Sequence, residues 1–297
     1  MKGVPTNSRE LYKRISEIFR PERLRQKKGI LIGAGSGGSR VATELGRLGL
    51  PLTLVDLPGE NMEEHNIVRH ELGYSSLGKP KTAELSWHIH NFNPEVPIEC
   101  VEMDITAQQD EFRKLVERTN PDLILACTDN QPSKHAIDAA AVRFDIPVVG
   151  AGVYDGGIAG GVYITRPGAA CFGCIASQLQ LDQRKTRKEL NIDYNDLNLP
   201  EIRSTSALNL DIAQIALIHA RVALSLLLAG EIDLLGLPPQ VNLIVFANRL
   251  VPGLFDRPLH AEFFHIERQP GCLVCGSRDA ATEAEADRIV RSVAEGS

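Results

Sequence analysis

The sequence predicts an α/β fold with a doubly wound, mostly parallel sheet, on three observations. Short apolar strand-like runs alternate with segments of helical spacing over residues 30–150. The first of these runs ends in a glycine turn that leads directly into a helix. Parallel neighbours need crossover connections, so strands and helices in strict alternation point to a parallel sheet. Beyond residue 150 the runs alternate sidedness, the pattern of antiparallel strands, so the sheet gains an antiparallel extension.

Leu11, Ile15, Ile18 and Phe19 are spaced for a helix over residues 9–20, and a charged linker follows, so residues 1–29 read as an N-terminal helix and linker. Ile30, Leu31 and Ile32 make a short buried strand, and residues 39–48 have the spacing of the next helix. Residues 51–56 form a second strand ending at Asp56, and residues 80–91 a helix before the turn signal Asn93-Pro94. Three further strands fall at 98–104, 122–128 and 146–152, with helices near 108–118 and 133–143. Later strands are expected at 161–166, 240–249 and 261–268. The polar stretch 178–203 has no clear period and reads as a loop over the sheet edge, a candidate lid or crossover segment. Residues 277–297 read as a peripheral helix or frayed tail.

The apolar run 207–230 approaches membrane-spanning length. It contains Asp211, Gln214, His219 and Arg221, which a lone span would have to bury, so it reads as a core helix. A net charge of -6 and a pI near 5.8 argue against a nucleic-acid partner, the basic stretch 20–28 being read as a solvated flank. The amino terminus is charged throughout and lacks the apolar core of a secretory signal, so a cytoplasmic location is expected. In that reducing compartment the pairs Cys171/Cys174 and Cys272/Cys275 suggest metal ligands rather than disulfides. Cys100 and Cys127 stand inside apolar runs and read as small core residues, and His88, His90 and His265 as structural.

Gly33-x-Gly35-x-x-Gly38 sits after a buried strand and before a helix, where backbone N–H groups and the helix N-terminus can face a phosphate. Asp56, at the end of the next strand, is placed to accept from ribose hydroxyls, which makes the fold Rossmann-like in its first half. These residues indicate a nucleotide or dinucleotide without saying which. Asn66-x-x-Arg69, Gly78-Lys79-Pro80-Lys81 and Thr128-Asp129-Asn130 add polar groups to the same sheet edge. Joining an anionic carboxylate to an anionic α-phosphate needs such cations and a magnesium ion, for which a strand-end Asp is a natural ligand.

Gly33 to Gly38, Leu54-Val55-Asp56, His65-Asn66-Ile67-Val68-Arg69, Gly78-Lys79-Pro80-Lys81 and Cys127-Thr128-Asp129-Asn130 together resemble the ThiF/MoeB/HesA family, relatives of the ubiquitin-activating enzymes. The resemblance runs from about residue 10 to 276 with the motifs in family order. It implies one adenylation domain over 30–276, with a nucleotide-binding half at 30–150 and a crossover loop and zinc-bearing half at 151–276. It implies that Gly33, Gly35, Gly38 and Asp56 hold ATP, that Asn66, Arg69 and Lys81 contact its phosphates, and that Asp129 takes magnesium. Arg69, Lys81 and Asp129 would be the catalytic set, with Lys79 an extra cation. An N-terminal arginine, Arg14 or failing that Arg20, would reach the partner subunit's phosphates in a homodimer. Cys171, Cys174, Cys272 and Cys275 would hold one structural zinc that pins the carboxyl terminus to the sheet.

The implied reaction is ATP-dependent adenylation of a carboxylate, foremost the C-terminal glycine of a ubiquitin-like or sulfur-carrier protein. Many family members carry an acyl-accepting cysteine before the long apolar helix, and the matching stretch 201–207 has none. An acyl-adenylate formed without a thioester is therefore expected, Thr205 being a poor substitute nucleophile. Alternatives are adenylation of a peptide or small-molecule carboxylate, an NAD-binding oxidoreductase, and a non-catalytic partner subunit. No membrane partner is expected.

Overall fold

The computed structural model describes residues 8–178 and 206–276, together with Arg288. Apart from Gln178 and Arg288, the polar stretch 178–203 and the tail expected at 277–297 lie outside the described residues, as does Thr205. Eight strands form one sheet in the order β3-β2-β1-β4-β5-β6-β7-β8. They are β1 (Gly29–Ile32), β2 (Leu52–Asp56), β3 (Ile98–Glu102), β4 (Leu123–Ala126), β5 (Val148–Val153), β6 (Ala159–Thr165), β7 (Leu243–Ala247) and β8 (His260–Phe264). β1 to β5 pair in parallel, and β6 to β8 extend the sheet antiparallel. The order reverses between β1 and β4, and there the crossovers diverge and leave a crevice at the strands' carboxyl ends.

The helices are α1 (Ser8–Tyr12), α2 (Pro21–Leu24), α3 (Ser36–Arg47), α4 (Glu64–Ile67), α5 (Lys81–His90), α6 (Gln109–Thr119), α7 (Gln131–Phe144) and α8 (Asn209–Leu227), and residues 172–178 are also helical. Strand side chains alternate between two cores, as a period of two requires. Leu31, Leu54, Leu125 and Val149 pack with Val41 and Leu45 of α3, Leu85 of α5 and Ile215 of α8. Ile30, Ile32, Val55 and Ile124 pack with Phe112 and Val116 of α6 and Ile137 of α7. Both faces of β1 and β4 are therefore covered, which is why these strands are continuous apolar runs. By length and composition α8 could cross a membrane, yet Ile212, Ile215, Ala216 and Ala223 bury one side of it against the sheet.

Two expectations are corrected here. The helix expected at 9–20 is broken into α1, a run of turns and α2. Pro21 fits the first turn of a new helix but has no N–H to continue an old one. Tyr12 and Phe19 are the buried anchors of this segment, Asn93 Nδ2 donating to the Tyr12 hydroxyl over 2.6 Å, while Leu11 and Ile18 are exposed. Cys100 is exposed rather than core, because β3 is the edge strand and only partly covered.

Candidate active site and four-cysteine centre

The crevice at the switch point is a cleft of about 700 Å³ lined by residues at the carboxyl ends of β1 to β5 and by one side of α8. The glycine turn forms the part of the cleft that follows β1. Gly33 has φ +95°, and a Cβ there would stand 2.8 Å from the Cys127 carbonyl oxygen, so the turn and its close approach to β4 both require glycine. Gly38 lies in α3 with its Cα against the Gly33 carbonyl, which lets the helix start immediately at Ser36, three residues earlier than its apolar spacing suggested. Gly35 caps α3 without a side-chain bond and has nothing within 4 Å of its Cβ position, leaving the first-turn N–H groups open to the cleft.

Ala34, between the two glycines, is held on both sides. Its N–H donates to Asp56 Oδ2 (3.2 Å), and its carbonyl accepts from His70 Nε2 (2.7 Å). Leu72 N–H donates to His70 Nδ1 (3.1 Å), which sets the tautomer with the proton on Nε2. Burial pushes His70 down to about 4, so it stays neutral at physiological pH. Asp56 is raised from the usual carboxylate range by burial, with the Leu57 N–H, Lys81 and the Ala34 N–H opposing that rise.

Gly33, Gly35, Asp56, Arg69, Lys81 and Asp129 all line this one cleft. Lys81 opens α5 with its ammonium paired to Glu60, and Arg69 follows α4. Asp129 is exposed beyond the end of β4 and makes no ion pair or hydrogen bond among the described residues. Asn130 caps α7, accepting from Ser133 N–H over 2.8 Å.

Other expected contacts stand elsewhere. Asn66 is outside the lining, and its amide oxygen accepts from Glu63 N–H (3.1 Å) in the capping box of α4. Gly38 supports the turn through packing rather than facing the cleft. Lys79 pairs with Glu84 (3.4 Å), away from the cleft. Arg14 and Arg20 are exposed on the N-terminal segment and do not reach this chain's cleft. Cys127, read as core, lines the cleft floor, where burial pushes its thiol well above the usual range and makes it a weak nucleophile.

Sequence reasoning missed Glu60, His70, Lys134 and His219. Lys134 is four residues past the α7 cap, a spacing that returns to the helix face opening on the cleft, and this signal was available. His70 adjoins Arg69 but is separated from Ala34 by 36 positions, so only folding brings them together.

Cys171, Cys174, Cys272 and Cys275 come together between the end of β6 and the segment after β8, their sulfurs all within 4.8 Å of one another. The separations Cys171–Cys272 and Cys174–Cys275 are 3.5 Å, and Cys171–Cys174 is 3.9 Å. A tetrahedral zinc with Zn–S bonds of ~2.3 Å needs sulfurs about 3.8 Å apart, so the donor set fits that metal. Gln269 N–H points at the Cys174 sulfur (3.4 Å), a donor suited to a thiolate. With the pairs 101 residues apart, such a centre would tie the C-terminal segment to the sheet.

Fold and cleft together define a nucleotide-handling α/β protein whose loops carry a four-thiol, metal-type centre. The chain belongs to the ThiF family, whose model matches residues 11–249. It is 27% identical over 190 residues to ubiquitin-like modifier-activating enzyme 5 of Bombyx mori, covering 60% of this chain and 48% of that protein. The Drosophila willistoni enzyme of the same name is 30% identical over 181 residues, covering 57% and 44%. The chain thus spans about half the length of the curated relatives it matches. Among solved structures, E. coli MccB with AMPCPP and MccA superposes with a TM-score of 0.68 at 16% identity, over 91% of this chain and 75% of that one. PaaA gives 0.65 at 18%, over 90% and 85%. At these identities the superpositions establish the shared fold.

Proposed function

We propose that this chain is an ATP-dependent adenylyltransferase acting on a carboxylate, foremost the C-terminal glycine of a ubiquitin-like or sulfur-carrier protein. The observation that carries the reading is the convergence of the open glycine turn, Asp56, Arg69, Lys81 and Asp129 on one cleft. A carboxylate oxygen attacks the α-phosphorus of ATP, the bond to the β,γ-phosphates breaks, and pyrophosphate leaves with the electron pair. The α3 N-terminus receives phosphate charge, Arg69 and Lys81 offset it as it redistributes, and Asp56 accepts from the ribose. Lys81 first exchanges Glu60 for phosphate. Magnesium held at Asp129 would neutralise further charge between nucleotide and carboxylate.

Zinc at the four cysteines, a homodimer in which Arg14 serves the partner's nucleotide, and a cytoplasmic location complete the proposal. Cys127 is too strongly protonated to take the acyl group readily, which supports transfer straight from the adenylate. A second reading, adenylation of a peptide terminus, is favoured by the superposition on MccA-bound MccB. The test is exchange of labelled pyrophosphate into ATP, run with β-grasp carrier proteins ending in Gly-Gly and with peptides. Exchange dependent on a carrier selects the first reading, exchange dependent on a peptide selects the second, and failure to bind ATP at all removes both.

A further inference from the structure

The cleft has two unequal sides. On one stand the glycine turn with the open N-terminus of α3, Arg69, and Lys81 in its pair with Glu60, the groups that a nucleotide's phosphates would meet. The other, between β5 and α8, is walled by Ala151, Gly152, Val153, Ile212, Ile215 and Ala216, and among the described residues its ammonium is Lys134.

Lys134 is only 9% exposed and makes no ion pair or hydrogen bond among the described residues. Its Nζ lies 5.6 Å from the centre of the Phe172 ring and 3.7 Å from where a Cβ on Gly152 would be, which aims it at the β5 wall. Asp129 pulls on it electrostatically but stands beyond ion-pair reach. A buried ammonium without an anion is costly, and burial already lowers its proton affinity. A carboxylate arriving along the β5–α8 wall meets the charge of Asp129, and it needs a fixed cation to hold it there.

We propose that Lys134 is the cation that receives the substrate carboxylate, donating to one of its oxygens while the other faces the α-phosphate, and then to the acyl carbonyl of the adenylate. This deepens the adenylyltransferase reading and rests on it. No proton changes hands: the ammonium stays charged while the carboxylate becomes the mixed anhydride and pyrophosphate departs.

The experiment uses the full chain, calorimetry, and two probes. AMP presents the phosphate alone. 5′-O-(N-acetylsulfamoyl)adenosine carries a sulfamate in place of the phosphate and an acyl carbonyl beyond it. Lys134→Met should weaken the acyl-sulfamate about tenfold or more and AMP less than about threefold, as expected for loss of one charge-assisted hydrogen bond. Lys134→Arg should recover most of that loss, and Lys134→Gln serves as a second neutral variant if the Met variant does not fold. Equal losses for both probes would make Lys134 a phosphate ligand and overturn the proposal. So would undiminished acyl-sulfamate binding accompanied by a lowered Tm, which assigns a structural role over Phe172. Wild-type protein that binds neither ATP nor AMP would sink the adenylyltransferase reading itself, whereas wild-type binding with an indifferent Lys134→Met sinks only this inference.

Discussion

Gly38→Ala and Gly35→Ala should separate the two tasks of the glycine turn. A Cβ at Gly38 would overlap the Gly33 carbonyl oxygen and stand 3.0 Å from both the Gly33 carbonyl carbon and the Cys127 Cβ. Two of these obstacles are backbone, so α3 must back away from β1, although Val41 and Leu45 hold it in the core beside α8. Overpacking of this kind costs about 1–3 kcal/mol. For a chain of this size that corresponds to a Tm lower by roughly 2–10 °C. Gly35 has open space at its Cβ position and an ordinary φ of -72°, so alanine there loses at most about 1 kcal/mol as a poorer cap. Its methyl group would instead occupy the approach to the α3 N–H groups. We expect Gly35→Ala to keep nearly the wild-type Tm while weakening ATP binding about tenfold or more, and Gly38→Ala to fail first in thermal stability. Differential scanning fluorimetry and calorimetric titration with ATP measure the two effects. A wild-type Tm for Gly38→Ala, or wild-type ATP affinity for Gly35→Ala, would refute the division of labour.

Three further outcomes follow from the site. Cys171→Ser or Cys272→Ser should abolish about one bound zinc per chain and lower Tm, since metal binding is coupled to folding, and full zinc content by mass spectrometry with both pairs replaced would defeat the zinc assignment. Asp129→Ala should leave Tm unchanged and eliminate magnesium-dependent pyrophosphate exchange, because this exposed carboxylate serves the ligand, so normal exchange in the variant would show its role to be wrongly assigned. His70 and His219 are both pushed down to about 4, below the ordinary 6.5, so the folded state binds fewer protons than the unfolded one between those values. Their contribution is therefore present above pH 6.5 and lost as pH falls through about 4, by up to roughly 3 kcal/mol for each group. Urea denaturation at pH 7 and pH 4.5 should register that loss, and His70→Gln should shrink it; an unchanged difference in the variant would show that His70 is not its source.

The strands and the parallel-to-antiparallel change were legible because burial on two faces produces continuous apolar runs, as in β1 and β4. The edge strand β3 was legible as a strand but not as an edge, so Cys100 was misjudged: burial depends on what covers a strand. The break between α1 and α2 was hidden for the same kind of reason. Leu11 and Ile18 fit a helical stripe, yet the tertiary anchor is Tyr12 docked on Asn93, 81 residues away.

In the cleft, local chemistry determined the glycine turn and the strand-end Asp56, because each follows from backbone geometry within a few residues. By itself the sequence also determined the cysteine pairs, since two C-x-x-C units are a local ligand pattern. Only the tertiary structure decided that the pairs converge, that His70 holds the Ala34 carbonyl, that Glu60 engages Lys81, and that Lys134 stands beside Gly152. Each is a relation between groups whose separation in the chain carries no signal, and whose meeting is set by the order of the strands in the sheet and by what packs over them. Burial and charge at the cleft are properties of that assembled surface, which is why the residue types could be read in advance and their partners could not.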